Sequence, residues 1–219
     1  MPPKVDIYYN GANLSVYRAA LESAGGIPLF STNLSIADRC DGLLLPGGGD
    51  IDPARYGQVP FGKPRLDPER EKAEFTLLEK FIAEGKPVLG ICLGMQLLFD
   101  ESHEYGVHKG LGLIKGKIAS IDEDLKNAGI AGLKVPHIGW NSLQFEKDEP
   151  LFRYNKPGDY VYYVHSFYGT DCEESIIATS EYGVTITGAV RSGKVYGTQF
   201  HPEKSGEAGL KMLKAFMEV

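Results

Sequence analysis

Two short runs constrain the fold most. Residues 42–45 read GLLL and residues 87–91 read PVLGI. A strand with one face in water alternates apolar and polar side chains. These runs are apolar throughout, so the sheet that holds them must be covered on both faces. VDIYY (5–9) and IPLF (27–30) also read as short strands. Helix-like segments lie between them. NLSVYRAALESAGG (13–26) carries Leu14, Tyr17, Leu21 and Ala24 at three- and four-residue steps and stops at Gly25-Gly26. DPEREKAEFTLLEKFIAEGK (67–86) offers Asp67 as an N-cap, Pro68 in the first turn, and Glu69 and Glu71 at the positive helix end. Apolar strands alternating with helices predict an α/β fold, a mostly parallel central sheet flanked by helices.

The second half changes character. GLGLIKGKIASI (110–121), WNSLQFE (140–146), DYVYYVHSFYGT (159–170), SIIATSEYG (175–183), VTITGAVRSG (184–193) and KVYGTQFH (194–201) alternate or are β-branched, with turn residues between them. They predict antiparallel strands added to the parallel core. EAGLKMLKAFMEV (207–219) predicts a closing helix. No linker, repeat or low-complexity tract divides the chain, so residues 1–219 read as a single domain. The Pro- and Gly-rich stretch 50–68 predicts a long loop, and loops of that length in compact domains tend to be functional. A net charge of −6 disfavours nucleic acid and anionic membranes as partners. Cys40, Cys92 and Cys172 are odd in number and far apart, which argues against a disulfide framework or zinc site and fits a reducing compartment. The N-terminus has no signal-peptide pattern. The longest apolar stretch, VLGICLGMQLLF (88–99), is too short to span a bilayer. A soluble cytoplasmic protein is expected.

Gly90-Ile91-Cys92-Leu93-Gly94 has the G-x-nucleophile-x-G form of a nucleophile elbow, with PVLGI as the strand before it and CLGMQLLFDES (92–102) as the start of the helix after it. A sharp turn exposes the middle side chain at the carboxyl end of the sheet. Small residues two positions away let neighbouring backbone approach, and a helix N-terminus favours a thiolate. The alternative is a buried core cysteine. A thiolate needs a proton carrier. His201 ends VYGTQF and is followed by Pro202, which fixes φ, and by Glu203, close enough to orient an imidazole. Together they predict a Cys92–His201–Glu203 triad. Gly47, Gly48 and Gly49 follow the strand GLLL, and exposed glycine amides at a strand end can bind an oxyanion. Gln96 lies one turn after Cys92 on the same predicted helix face, which points it at the pocket. No cluster has metal-ligand spacing and no phosphate loop occurs, so no metal or organic cofactor is expected.

GICLGMQLL with HPE near the C-terminus resembles the class I glutamine amidotransferases, whose glutaminase domain hydrolyses the glutamine amide and hands on ammonia. GVHKGLGLIKG, VPHIGWNSL, YVYYVHSFY and GTQFHPEKSGEAGLKMLKAF are similar to the glutaminase subunits of imidazole glycerol phosphate synthases of histidine biosynthesis. The resemblance covers nearly the whole chain. It implies that Cys92 attacks the carboxamide to form a γ-glutamyl thioester, that His201 shuttles the proton, and that Glu203 orients His201. The amide of Leu93, with one from Gly48 or Gly49, would hold the oxyanion. Gln96 and Glu104 match positions near the substrate amino acid, and backbone around His165, Ser166 and Phe167 would pin its carboxylate. His137, Gly139, Trp140 and Asn141 match the segment that faces a (βα)₈ cyclase partner, and Asn13 belongs to the N-terminal loop on the same side. The implied assembly is a heterodimer. Blander readings stand beside these. Trp140 could be core, His137 a loop residue with local hydrogen bonds, His165 on either side of its strand, and Glu104 a solvated carboxylate.

The first half departs from this branch. Ala12 separates Gly11 from Asn13 in the N-terminal loop, and the third strand continues into PGGGDIDPARYG (46–57). That phrase, with 67–92, is similar to γ-glutamyl-γ-aminobutyrate hydrolases, which cleave γ-glutamyl amides without a synthase partner. Their relatives carry CRGMQ at the elbow, where this chain has Leu93. The amidotransferase is the favoured reading. A stand-alone γ-glutamyl amide hydrolase and a non-catalytic partner-binding module are the alternatives.

Overall fold

The computed structural model describes residues 3–8, 14–31, 37–46 and 68–219. Its first half runs β1 (Lys4–Tyr8), α1 (Leu14–Ser23), β2 (Ile27–Ser31), β3 (Gly42–Leu45), α2 (Pro68–Ala83), β4 (Val88–Ile91) and α3 (Leu93–Gln96). The second half runs β5 (Phe99–Ser102), β6 (His108–Lys109), β7 (Ile114–Ser120), α4 (Ile121–Asn127), β8 (His137–Ser142), β9 (Gln144–Phe145), β10 (Tyr160–His165), β11 (Phe167–Thr170), β12 (Ile176–Tyr182), β13 (Val184–Ser192), β14 (Val195–Thr198) and α5 (Gly206–Phe216).

The main sheet has the order β2-β1-β3-β4-β14-β13-β12-β9. The pairs from β2 to β14 are parallel, and those from β14 to β9 antiparallel. This is the parallel core with antiparallel additions that the hydrophobic pattern predicts. Every residue of β3 and of β4 is buried, and alternate side chains go to opposite faces. Leu43, Leu45 and Val88 share a cluster with Leu77, Leu78 and Phe81 of α2. Leu44, Leu89 and Ile91 share another with Tyr17 and Leu21 of α1 and Met212, Leu213 and Phe216 of α5. Each such side chain contributes roughly 1.5–3 kcal/mol on burial. That explains why the strands are apolar at every position.

One expected element differs. CLGMQLLFDES does not continue as a helix. The helix after Cys92 is a single turn, Leu93–Gln96, and Phe99–Ser102 is β5 of a second sheet, β11-β7-β5-β6. Leu98 and Phe99 are fully buried where the chain enters this sheet, and Leu113 N and Ile114 N both bond to the Leu98 carbonyl. An unbroken apolar run has no period that separates strand from helix, and tertiary pairing decides it here. DYVYYVHSFYGT likewise splits at Ser166 into β10 and β11, which pair with β8 and β7 in different sheets.

Candidate active site

The register of the parallel core builds the site. β4 lies between β3 and β14, with Gly197 opposite Gly90 and Thr198 opposite Ile91. The next step brings the exit of β14 alongside Cys92, whose amide donates to the Thr198 carbonyl at 2.7 Å. Cys92 has φ 53° and ψ −109°, a left-handed conformation rare for a residue with a Cβ. This is the elbow expected from G-x-C-x-G, and it leaves the Cys92 side chain half-buried. Leu93 is the first helical residue, so its amide has no acceptor within the helix. Cys40 and Cys172 are buried. Burial also pushes the Cys172 thiol up to about 11, partly offset by its contact with Thr187.

Phe200 is fully buried, and the His201 amide bonds to the Tyr162 carbonyl at 2.9 Å. Pro202 opens a 3-10 turn, Pro202–Lys204, that folds Glu203 back onto His201. His201 Nδ1 donates to Glu203 Oε1 at 2.7 Å, and the Glu203 side chain is 1% exposed. With Nδ1 committed, Nε2 is left to move a proton. It is buried and, among the described residues, makes no hydrogen bond of ordinary geometry. The Cys92 thiol is nonetheless near enough to act on it electrostatically. Burial alone would lower His201, but Cys92 and Glu203 outweigh it and hold the imidazole up at about 9. Ser205 locks the turn, donating through Oγ to the His201 carbonyl at 2.7 Å and accepting from the Tyr162 amide at 3.0 Å.

Gln96 Nε2 donates to the Phe167 carbonyl at 3.0 Å and to Gln199 Oε1 at 3.1 Å. Both of its N–H groups are therefore used inside the protein. The Phe167 carbonyl also accepts from His165 Nδ1 at 2.9 Å, and the Ser166 carbonyl accepts from the Ile121 amide at 3.0 Å. Glu104 follows β5 and is half-buried. The neighbouring Tyr105 ring meets Phe167 edge-on at 6.1 Å. Cys92, Leu93, Gln96, His165, Phe167, His201 and Glu203 thus fall in one neighbourhood. Gly47, Gly48, Gly49 and Asn13 lie outside the described residues, as do Asp67 and most of the 50–68 stretch. The β3–β4 pairing, Leu45 opposite Gly90, does set the end of β3 next to the elbow.

The ribbon β8–β10 separates the predicted partner-facing residues. Its register puts Ile138, Trp140 and Ser142 on one face with Val164, Tyr162 and Tyr160. His137, Gly139 and Asn141 go to the other, with His165, Tyr163 and Val161. Trp140 is 54% exposed, Ile138 59% and Tyr160 60%, so the core reading of Trp140 does not hold. His137 is buried, stacked on Tyr182 at 3.9 Å and on Tyr163 at 4.7 Å. It opens β8 rather than sitting in a loop, so the loop reading does not hold, and its side chain is not presented outward as the partner-facing reading implied. Its Nδ1 lies 3.0 Å from His165 Nε2, and its Nε2 lies 3.4 Å from Asn141 Nδ2. The Phe167 carbonyl can only accept, which fixes the proton of His165 on Nδ1 and leaves Nε2 to accept from His137 Nδ1. His137 Nε2 then accepts from Asn141. Both rings are neutral in this chain, and burial pushes His137 down to about 4 and His165 to about 3.

Comparison with known proteins bears on this geometry. The family model for class I glutamine amidotransferases matches residues 26–219. The chain belongs to the class I glutamine amidotransferases. Within them it belongs with the imidazole glycerol phosphate synthase HisH subunits. It is 41% identical to the subunit of Listeria monocytogenes serotype 4a over 215 residues, 98% of this chain and 95% of the relative. It is 41% identical to that of Bacillus licheniformis over 213 residues, 97% and 94%. These alignments run through the first half, including the stretch that resembles γ-glutamyl-γ-aminobutyrate hydrolases. Among solved structures, PurLQS from Thermotoga maritima shares the fold with TM-score 0.68 at 21% identity, covering 100% of this chain and 99% of that one. Among the described residues, no helix of this amidotransferase is long and apolar enough to cross a membrane.

Three histidines give the amidotransferase a two-sided pH dependence. His201 is raised above its unfolded value of 6.5, so its stabilisation is complete below pH 6.5 and is lost as pH rises through about 9. His137 and His165 are depressed, so theirs is present above pH 6.5 and lost as pH falls toward about 4 and about 3. The expected result is that the Tm difference between the protein and a His201→Gln variant narrows from pH 6.5 to 9. The difference from a His165→Asn variant should narrow on acidification below pH 6.5. Thermal unfolding across pH 4 to 9 checks both. Differences that do not change with pH would contradict these assignments.

Proposed function

We propose that this chain is the glutaminase subunit of an imidazole glycerol phosphate synthase, one domain over residues 1–219, cytoplasmic, acting in a heterodimer with a (βα)₈ cyclase in histidine biosynthesis. The observation that carries the chemistry is His201, tied through Nδ1 to buried Glu203, with Nε2 unbonded among the described residues beside the elbow cysteine. In this reading the Cys92 thiolate attacks the glutamine amide carbon, and the carbonyl oxygen becomes an oxyanion held by the Leu93 amide and one from Gly48 or Gly49. His201 passes a proton to the leaving nitrogen as the C–N bond breaks, releasing ammonia and the γ-glutamyl thioester. His201 then takes a proton from water, whose oxygen attacks the thioester. Glutamate leaves and the thiol is restored.

The whole-chain likeness to HisH subunits supports the partner, as does the exposed apolar face of Ile138, Trp140 and Tyr160. The test is ammonia release from glutamine by the chain alone and with the cyclase and its nucleotide ligand, with γ-glutamyl amines run in parallel. Stimulation by about tenfold or more on adding cyclase and ligand is expected. Unchanged turnover in both conditions, or preference for γ-glutamyl amines, would count for a stand-alone hydrolase.

A further inference from the structure

Gln199 is absent from the mechanism above, yet it is the polar side chain that the β14 register sets directly beside Cys92. It is fully buried. A buried amide is costly unless its polar atoms are paired, and the pairs here are specific. Its backbone amide bonds to the Gly188 carbonyl at 2.8 Å. Its Oε1 accepts from Gln96 Nε2 at 3.1 Å, and its Nε2 lies 3.7 Å from Cys92 Sγ.

The orientation of this amide follows from its neighbours. The Phe167 carbonyl can only accept, so Gln96 must present Nε2 to it. The second N–H on that nitrogen faces Gln199, which must answer with Oε1. Gln199 Nε2 is then the atom turned to the sulfur. The Phe167 carbonyl is itself held by His165 Nδ1 at 2.9 Å. The sulfur therefore receives a donor whose direction is set through three further groups.

We propose that Gln199 is a positioning residue for the nucleophile: its Nε2–H donates to the Cys92 sulfur, favours the thiolate and fixes where it points. An N–H donor stabilises a charged sulfur more than a neutral thiol. The helix behind Cys92 is a single turn, so little macrodipole is available for this task. Gln199 and His201 are two residues apart on the segment that leaves β14, so a single strand exit delivers both the sulfur's hydrogen-bond donor and its base. Gln96, read from the sequence as a substrate contact, acquires a second duty in orienting Gln199.

The inference rests on Cys92 being the nucleophile and is tested without glutamine turnover. The full chain is treated with iodoacetamide across pH 5 to 10, and labelling of Cys92, Cys40 and Cys172 is followed by mass spectrometry. In the wild-type chain Cys92 should label first. In Gln199→Met, similar in shape but without a donor, the pH profile of Cys92 labelling should move up by about one pH unit. In Gln199→Glu, which sets a carboxylate against the sulfur, it should move further. A wild-type profile in both variants would overturn the proposal. Should either variant fail to fold by circular dichroism, Gln96→Met decides: it frees the Gln199 amide, and an unmoved profile overturns the proposal equally. Were Cys92 to label no faster than Cys40 and Cys172 in the wild-type chain, the nucleophile reading itself would fail, and this one with it.

Discussion

A Cys92→Ala variant is expected to lose glutamine hydrolysis by about four orders of magnitude, and a Cys92→Ala, His201→Ala double variant to lose little more. Nucleophile and base act as one unit. Without the sulfur there is no thioester, and the proton that His201 carries has no donor. Without His201 the thiol loses its base, and the nearby Gln199 Nε2 cannot replace it because it only donates. Glu203 acts through His201, at 2.7 Å from Nδ1. Glu203→Gln keeps the shape, removes the charge and leaves a buried amide N–H₂ where Glu203 Oε2 has no partner among the described residues. Its effect should fall mainly on kcat, and be smaller than that of Cys92→Ala. The check is steady-state ammonia release with the cyclase present for the single and double variants. Losses that multiply would show that the two residues act independently. Activity in Cys92→Ala within tenfold of the wild type would remove the triad altogether.

What could be read from sequence follows from where one side of the chemistry is local. The apolar runs GLLL and PVLGI demanded a doubly covered parallel sheet, and the packing of α2 on one face and of α1 and α5 on the other meets that demand. The elbow and the HPE turn were legible because glycine spacing and a proline fix local geometry. For Trp140 the resemblance pointed to a partner-facing position and the residue type to the core; the tendency of large aromatics toward the core assumes two covered faces, and β8–β10 leaves Trp140 exposed. The pairing of His137 with His165 depends on a register across 28 residues that no local pattern fixes. Gln199 did leave a trace: in KVYGTQFH it is a polar residue in an apolar strand exit, two residues before the base. Such an interruption marks a buried polar group that needs partners. Which partners it finds depends on the neighbouring strand.

A Gly94→Ala variant is expected to melt about 10 °C lower and to lose rapid labelling of Cys92 even where it still folds. The reason is contact rather than backbone strain. A methyl group at 94 would fall on the Leu45 carbonyl oxygen and sit 3.3 Å from Leu45 Cβ. One at 90 would meet the Gly94 carbonyl oxygen at 2.5 Å and Met95 N at 2.8 Å. Gly90 lets the first turn of α3 fold back over β4, and Gly94 lets that turn pack against β3, so a methyl at 94 forces the elbow away from β3. Overpacking of this kind costs about 3 kcal/mol, and each kcal/mol lowers Tm by roughly 2–4 °C in a chain of this size. Gly193→Ala is the comparison. It has φ +59° and nothing within 4 Å of the added carbon, so it should show only the left-handed strain of about 1–2 kcal/mol and leave labelling untouched. Thermal unfolding and iodoacetamide kinetics on the two variants decide the point. If Gly94→Ala behaves like Gly193→Ala, then the elbow tolerates a side chain at its second glycine, and the close approach of β3 does not hold the nucleophile in place. If Gly94→Ala instead melts normally while labelling falls, the glycine serves Cys92 geometry rather than the stability of the sheet.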